Sequence, residues 1–218
     1  MPRDPKVLRV YLQAHQEAHK NRVNLFRLEE IEDLFPPNLQ LDLIPVHAVA
    51  MPGHSTAIIT EDQLRECLAA FTSAREESDP WWCHVMLAGS MAEEPGAFGA
   101  AFNAHESQWR FIRRGCALFL REIDDKDSPT EKRLLKRTLA HELGHVLNLA
   151  HEDGAGNTIM AARPEVEAME LRWSPISRAH LDEHEDWCLQ PGGRWFTCPG
   201  HEDRADDFFT RLVSRDVA

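Results

Sequence analysis

The sequence predicts an α/β (α+β) fold with a twisted, mixed sheet of about five strands that is backed by helices. Three observations predict this class: short apolar or alternating runs typical of strands, helical spacing between several of them, and a long helix with a buried face after the last strand. The 218 residues are enough for a substantial core. We expect one domain over 1–187, with an upper part at 1–151 and a lower part at 152–187, and a C-terminal extension at 188–218.

Apolar spacing predicts five strands, at 6–14, 39–50, 81–88, 96–103 and 115–123. The last of these is continuously apolar, which predicts burial on both faces of the sheet. A helix predicted over 25–35 stops at a pair of prolines, because the residue before proline disfavours helical geometry. Another helix is predicted to begin at Thr60, and a C-terminal helix to begin at Ser174 and run through Trp187.

The longest predicted helix begins at Ser128 and runs to His145. Its start fits a capping box, because Ser128 is followed by proline and then by Glu131 three residues later. Its apolar positions predict a mostly buried helix: Leu134, Leu135, Leu139, Ala140, Leu143, Val146 and Leu147.

Three histidines near the end of this helix have the spacing of a metal site. His141 and His145 are four residues apart and therefore lie on one face of a helix, and His151 follows six residues later. Three neutral imidazoles that leave one position open are the ligand set of a catalytic zinc. Glu142 projects beside this face, where it can act on a water as general base and acid. A solvated histidine pair is the ordinary alternative, but the apolar flanks argue against it, because an unliganded polar cluster is costly to bury.

The stretch from His141 to His151 resembles the metzincin signature H-E-x-x-H-x-x-G-x-x-H, and Met160 resembles the Met-turn methionine of that family. The short gap between His151 and Met160 looks most like the matrixin-type branch. The lack of a tyrosine after Met160 agrees with that branch, since Tyr11 is the one tyrosine of the chain. The resemblance implies a metzincin-like fold and a zinc-dependent endopeptidase in which Met160 forms a floor beneath the histidines.

The sequence departs from the family signature at one position, Asn148, and a second position, Glu152, differs from one branch of the family. Asn148 stands where the signature has glycine, and asparagine is the next most tolerant residue for the left-handed turn that this position requires. The archaemetzincin branch carries a cysteine directly after the third histidine, whereas this chain has Glu152. We therefore expect a poor fit to that branch.

An extended substrate is expected to add to an exposed strand edge through backbone hydrogen bonds. The small residues over 96–103 would allow another backbone to approach closely, so we predict substrate binding at this strand. The residues concerned are Gly99, Ala100, Ala101 and Phe102. A bulged surface strand explains the same composition.

Two further histidine patterns occur near the C-terminus. Two histidines and two cysteines could close a second, structural zinc site, at His184, Cys188, Cys198 and His201. A disulfide between the two cysteines, or two free thiols, explains the same residues. The stretch from His180 to His184 also matches the inverted motif H-x-x-E-H, but its acidic flanks indicate a solvated helix face.

The net charge of −12 argues against nucleic acid and against an anionic membrane surface as partners. The first residues do not look like a signal peptide, so we expect a cytoplasmic protein or one exported by a non-classical route. Five widely spread cysteines do not suggest a disulfide framework. We expect a monomer that acts on a peptide or protein. A catalytically idle zinc-containing binding module and an effector-type protease with one protein target remain as alternatives.

Overall fold

The structure is a computed structural model, and it describes residues 5–14, 31–46, 58–73, 81–101, 114–124, 128–152, 157–161, 168–183 and 189–191. The strands in these ranges are β1 (Lys6–Ala14), β2 (Leu39–Val46), β3 (Ile58–Ile59), β4 (Trp82–Ala88), β5 (Ser90–Met91), β6 (Gly99–Ala101) and β7 (Gly115–Phe119). The helices are α1 (Glu61–Ser73), α2 (Leu120–Asp124), α3 (Ser128–Val146) and α4 (Pro175–Glu183).

The main sheet has five strands in the order β2-β1-β4-β7-β6. The first four run parallel to one another, and β6 pairs antiparallel with β7 at the edge. The predicted fold class, a mixed sheet of about five strands with helices, is confirmed. A separate pair of short parallel strands, β3 and β5, was not predicted from the sequence.

The central strands β4 and β7 are buried along their whole length. Alternate residues point to opposite faces: Val85 and Leu118 belong to the core cluster that contains α3, whereas Met86 and Ala117 belong to the cluster that contains α1. The sheet therefore lies between two helical layers, and α3 packs against the end of the sheet formed by β6 and β7.

One predicted strand is too long. The apolar run over 115–123 is strand only to Phe119, and Leu120–Asp124 is helix α2. The buried apolar residues 115–120 carry no periodicity that separates strand from helix, and the polar Arg121 and Glu122 lie on the less buried side of α2. Predicted strand 96–103 is likewise strand only over Gly99–Ala101 among the described residues.

The predicted helix starts are confirmed where the structure describes them. The Thr60 hydroxyl accepts a hydrogen bond from the Gln63 backbone N–H at 3.2 Å, and the Thr60 N–H donates to Gln63 Oε1 at 2.9 Å, so α1 begins with a reciprocal cap. Helix α3 begins at the predicted Ser128. Ser174 Oγ caps α4 by accepting from the Ser177 N–H at 3.0 Å.

All seven apolar residues that predicted burial of α3 are buried. His180 on α4 is also buried, which corrects the prediction of a solvated face there, although Asp182 is exposed as predicted. Leu181 beside it belongs to the core, and this packing draws His180 inward. Cys67, Cys83 and Cys116 are free thiols. Among the described helices, none is long and apolar enough to cross a membrane.

Helix α3 ends in a Schellman turn centred on Asn148. The Leu149 N–H donates to the Gly144 carbonyl at 2.9 Å, and the Asn148 N–H donates to the His145 carbonyl at 2.9 Å. Asn148 has φ of 67°, so it adopts the left-handed conformation that its place in the sequence predicts. This turn reverses the chain just before His151.

Replacing Asn148 should reveal the cost of that left-handed turn. We expect Asn148→Val to lower the free energy of unfolding by about 1–2 kcal/mol, because its Cβ crowds the following carbonyl in this conformation. Asn148→Gly should stay within about 1 kcal/mol of wild type, because glycine has no such strain. Urea unfolding measures both variants. Equal stability of the valine and glycine variants would contradict this description of the turn.

Candidate metal centre

The structure brings the three predicted histidines together at the end of α3. His141 Nε2 and His145 Nε2 lie 3.1 Å apart, and His151 Nε2 lies 3.0 Å from the first and 3.1 Å from the second. His141 and His145 are buried, and His151 is half-buried. Three ring nitrogens from two helical turns and one loop thus meet at one point.

Backbone carbonyls determine which ring nitrogen carries the proton in two of these imidazoles. His141 Nδ1 lies 2.6 Å from the Ile159 carbonyl oxygen, and His145 Nδ1 lies 2.8 Å from that of Leu149. A carbonyl oxygen only accepts, so each Nδ1 is the protonated donor and each Nε2 presents a lone pair. The carbonyl of Leu149 is available because the Schellman turn brings it back over the last turn of the helix.

Burial also keeps these rings uncharged. It lowers the pKa of His145 to about 4 and holds the pKa of His141 well below its usual value, and at His141 the two other histidines and Arg137 add to the effect. Both rings are therefore neutral near pH 7, which is the form that binds a metal.

The three imidazoles fit one zinc ion. The unprotonated Nε2 atoms of His141 and His145 cannot hydrogen-bond to each other, so lone pairs 3.1 Å apart repel unless a cation lies between them. Nitrogens at the usual zinc distance in a tetrahedron are about 3.3 Å from one another, close to the spacing found here. Three protein ligands leave one tetrahedral position for a water or a substrate.

The backbone carbonyls of the turn 158–161 accept hydrogen bonds from two residues of α3 and from the residue that follows His151. The Ile159 carbonyl accepts from His141, the Met160 carbonyl accepts from the Glu152 N–H at 3.1 Å, and the carbonyls of Thr158 and Ala161 accept from Arg137. All four carbonyls of this turn therefore have donors. Sequence reasoning missed Arg137, although a cation four residues before His141 within an apolar stretch was a signal.

Met160 lies in this turn, fully buried below α3. A Cβ on Gly144 would lie 2.6 Å from Met160 Sδ and 3.2 Å from Trp173 Cζ3, so only glycine allows the helix to approach this closely. Met160 is thus packed against the segment of α3 that lies between His141 and His145.

Glu142 is 4% exposed, and its Oε2 has no hydrogen-bond partner among the described residues. Burial raises the pKa of this carboxyl to about 8, against the attraction of the Arg137 guanidinium, which lowers it. A buried carboxylate with an unpartnered oxygen beside a metal site is able to accept and return a proton.

The edge strand β6 runs directly over this carboxyl group. A Cβ on Gly99 would lie 2.6 Å from Glu142 Oε1 and 2.9 Å from the Ala117 carbonyl oxygen. Gly99, Ala100 and Ala101 pair with β7, and no strand of the described ranges pairs with their other side. Phe102 lies outside the described residues, as do His184, Cys188, Cys198 and His201 of the predicted second zinc site.

Solved structures with a fold similar to that of this chain include two peptidase structures. One is a zinc-dependent peptidase from Methanocorpusculum labreanum, with TM-score 0.55 and 16% identity over 79% of this chain and 99% of that one. The other is an archaemetzincin from Methanopyrus kandleri, with TM-score 0.52 and 14% identity over 80% of this chain and 93% of that one. No family model and no curated protein matches the sequence.

At these identities the likeness concerns the fold. The chain shares that fold with an archaemetzincin even though Glu152 stands where a cysteine was expected for that branch, and the predicted likeness to the matrixin-type branch is not confirmed. The Glu152 side chain instead accepts a hydrogen bond from Ser177 Oγ of α4, which ties the loop that carries His151 to that helix.

Zinc analysis of the purified chain tests the metal site. We expect one zinc per chain, near-complete loss of zinc in His145→Ala, and retention in His180→Asn, since His180 is a buried histidine outside the group. Free zinc at 1,000 times its dissociation constant should stabilise the fold by about 4 kcal/mol, because only the folded chain assembles the three ligands. Loss of zinc in His180→Asn with retention in His145→Ala would place the metal elsewhere.

Proposed function

We propose that this chain is a zinc-dependent endopeptidase of the metzincin type, with His141, His145 and His151 as zinc ligands and Glu142 as general base and acid. The observation that carries the proposal is the convergence of three imidazole nitrogens within 3.1 Å beside a buried carboxyl group. The fold shared with a zinc-dependent peptidase and an archaemetzincin supports it.

The histidines and Glu142 have separate roles in the proposed hydrolysis of a peptide bond. Zinc held by the three imidazoles supplies Lewis-acid chemistry, which activates water and polarises a carbonyl near neutral pH. Glu142 accepts the proton of the attacking water and passes it to the leaving amine. Burial raises the pKa of Glu142, and a zinc cation bound beside it would lower that pKa again, which favours the carboxylate that accepts a proton near pH 7.

In the part of the chain that the structure describes, no strand pairs with the outer side of β6, and we propose that this side binds the substrate as an additional strand. The β6 residues Gly99, Ala100 and Ala101 have small side chains and lie next to Glu142, so a peptide paired with them would pass the carboxyl group. A strand edge can pair with any extended part of a substrate and does not require its N- or C-terminus, which favours internal cleavage over removal of terminal residues.

Met160 is proposed as the Met-turn methionine, on the support of its burial under Gly144. The matrixin-type assignment rests on the short gap between His151 and Met160. A catalytically idle zinc module would have no use for Glu142, because a buried carboxyl group with an unpartnered oxygen destabilises a fold that does not need it.

Replacing Glu142 separates metal binding from catalysis. We expect Glu142→Gln to keep one zinc per chain but to lower kcat for casein by at least about 10²–10⁴-fold, because the amide cannot accept the proton. Glu131→Gln, the same change in the first turn of α3, should leave both unchanged. Near-normal kcat in Glu142→Gln would refute the mechanism, and no zinc-dependent cleavage by wild type would favour the idle module or a dedicated target.

Gly99→Ala tests the closeness of β6 to Glu142. The added Cβ would lie within 3.0 Å of both the Glu142 carboxyl group and the Ala117 carbonyl of β7, so the carboxyl group and the edge strand must move relative to each other. We expect kcat to fall by roughly 10²-fold with zinc retained, because a misplacement of about 1 Å has this effect.

Gly115→Ala is the matched control, since its Cβ would meet the Leu68 side chain, away from Glu142. It should lower stability but keep kcat. Equal losses of kcat in the two variants would show that the effect of Gly99→Ala does not pass through Glu142.

A further inference from the structure

We propose that Arg137 is a positioning residue of the metal site, which acts on His141 through the turn 158–161. The inference rests on the zinc site of the proposed function but not on the peptidase reaction. Arg137 and His141 are four residues apart on α3, so both side chains reach the same turn from one face of the helix.

Arg137 is a buried cation, only 4% exposed. Its Nη2 donates to the Ala161 carbonyl at 2.6 Å and to the Thr158 carbonyl at 3.1 Å, while its Nε has no partner among the described residues. Burying a guanidinium is costly, and a leucine or methionine would fill the same space without that cost. The two carbonyl contacts and the attraction to the Glu142 carboxyl group therefore distinguish arginine from an apolar residue at this position.

These contacts fix the carbonyl that orients the metal ligand. Arg137 binds the carbonyls of Thr158 and Ala161, so it holds the peptide plane just before Ile159 and the end of the same turn. The Ile159 carbonyl then accepts the His141 Nδ1–H at 2.6 Å, which sets the tautomer and the direction of Nε2. In this way Arg137 supports a ligand that it does not touch.

Both contacts come from one nitrogen, Nη2, whose two N–H bonds have fixed directions in the guanidinium plane. Lysine would keep the positive charge, but its N–H bonds rotate freely at the end of a flexible stem, so it would hold the two carbonyls less rigidly. Arg137→Lys therefore separates the two roles. Arg133→Lys is the matched control, because Arg133 lies one turn earlier on α3 and donates to the Met169 carbonyl, outside the turn 158–161.

Zinc affinity is the first readout, measured by competition with a chromophoric chelator. We expect Arg137→Lys and Arg137→Met to weaken zinc binding about 10–100-fold, as is usual when a group that orients a ligand is lost, and Arg133→Lys to have no effect. The visible spectrum of the cobalt-substituted protein should change in the Arg137 variants alone. Wild-type affinity in Arg137→Lys, or tighter binding in Arg137→Met, would overturn the proposal.

The tautomer of His141 in the metal-free protein is the second readout, measured by ¹⁵N NMR of the histidine rings. Wild type and Arg133→Lys should show His141 with the proton on Nδ1, and Arg137→Lys should show a mixture of the two tautomers. An unchanged tautomer in Arg137→Lys overturns the proposal even if zinc affinity falls.

These two readouts separate the failure of this inference from that of the proposed function. A wild type that binds zinc but cleaves no protein, with the expected changes in the Arg137 variants, would refute the peptidase and leave the role of Arg137 supported, whereas a wild type that binds no zinc would refute both. If Arg137→Met does not fold, the zinc affinity of Arg137→Lys and the His141 tautomer of the wild type still test the proposal. A wild-type His141 with the proton on Nε2 would overturn it.

Discussion

Three imidazole nitrogens that point at one another within 3.1 Å form an arrangement that is unfavourable without a cation. The Nε2 atoms of His141 and His145 are unprotonated, because in each ring Nδ1 carries the proton and donates a hydrogen bond to a backbone carbonyl. Burial keeps these two rings neutral, so their protonation does not relieve the repulsion near pH 7. The rest of the fold can be understood as the scaffold that maintains this arrangement.

Backbone groups make most of the contacts that hold the ligands in place. Buried apolar residues fix helix α3 in the core. The left-handed turn at Asn148 brings the Leu149 carbonyl within hydrogen-bond distance of His145 Nδ1. The four consecutive carbonyls of the turn 158–161 each accept a hydrogen bond from a metal ligand or from a residue close to one in the sequence. Ligand geometry is thus set by hydrogen bonds that lie outside the ligand set itself.

The sequence predicted those parts that depend on periodicity and local chemistry. The buried face of α3, its start at Ser128, the left-handed Asn148 and the grouping of three histidines all follow from spacing within a few residues. Long-range relations were missed. The helical end of the 115–123 run, the burial of His180 and the hydrogen bonds from Arg137 to a turn more than 20 residues later depend on packing between segments that are far apart in the sequence.

X-ray absorption at the zinc edge of protein loaded with one equivalent of zinc tests the central claim most directly. The account predicts a four-coordinate ion with three imidazole nitrogens and one further oxygen or nitrogen, all at about 2.0–2.1 Å. Sulfur ligands at about 2.3 Å would contradict it, since they would assign the ion to cysteines and leave the three histidines without a metal.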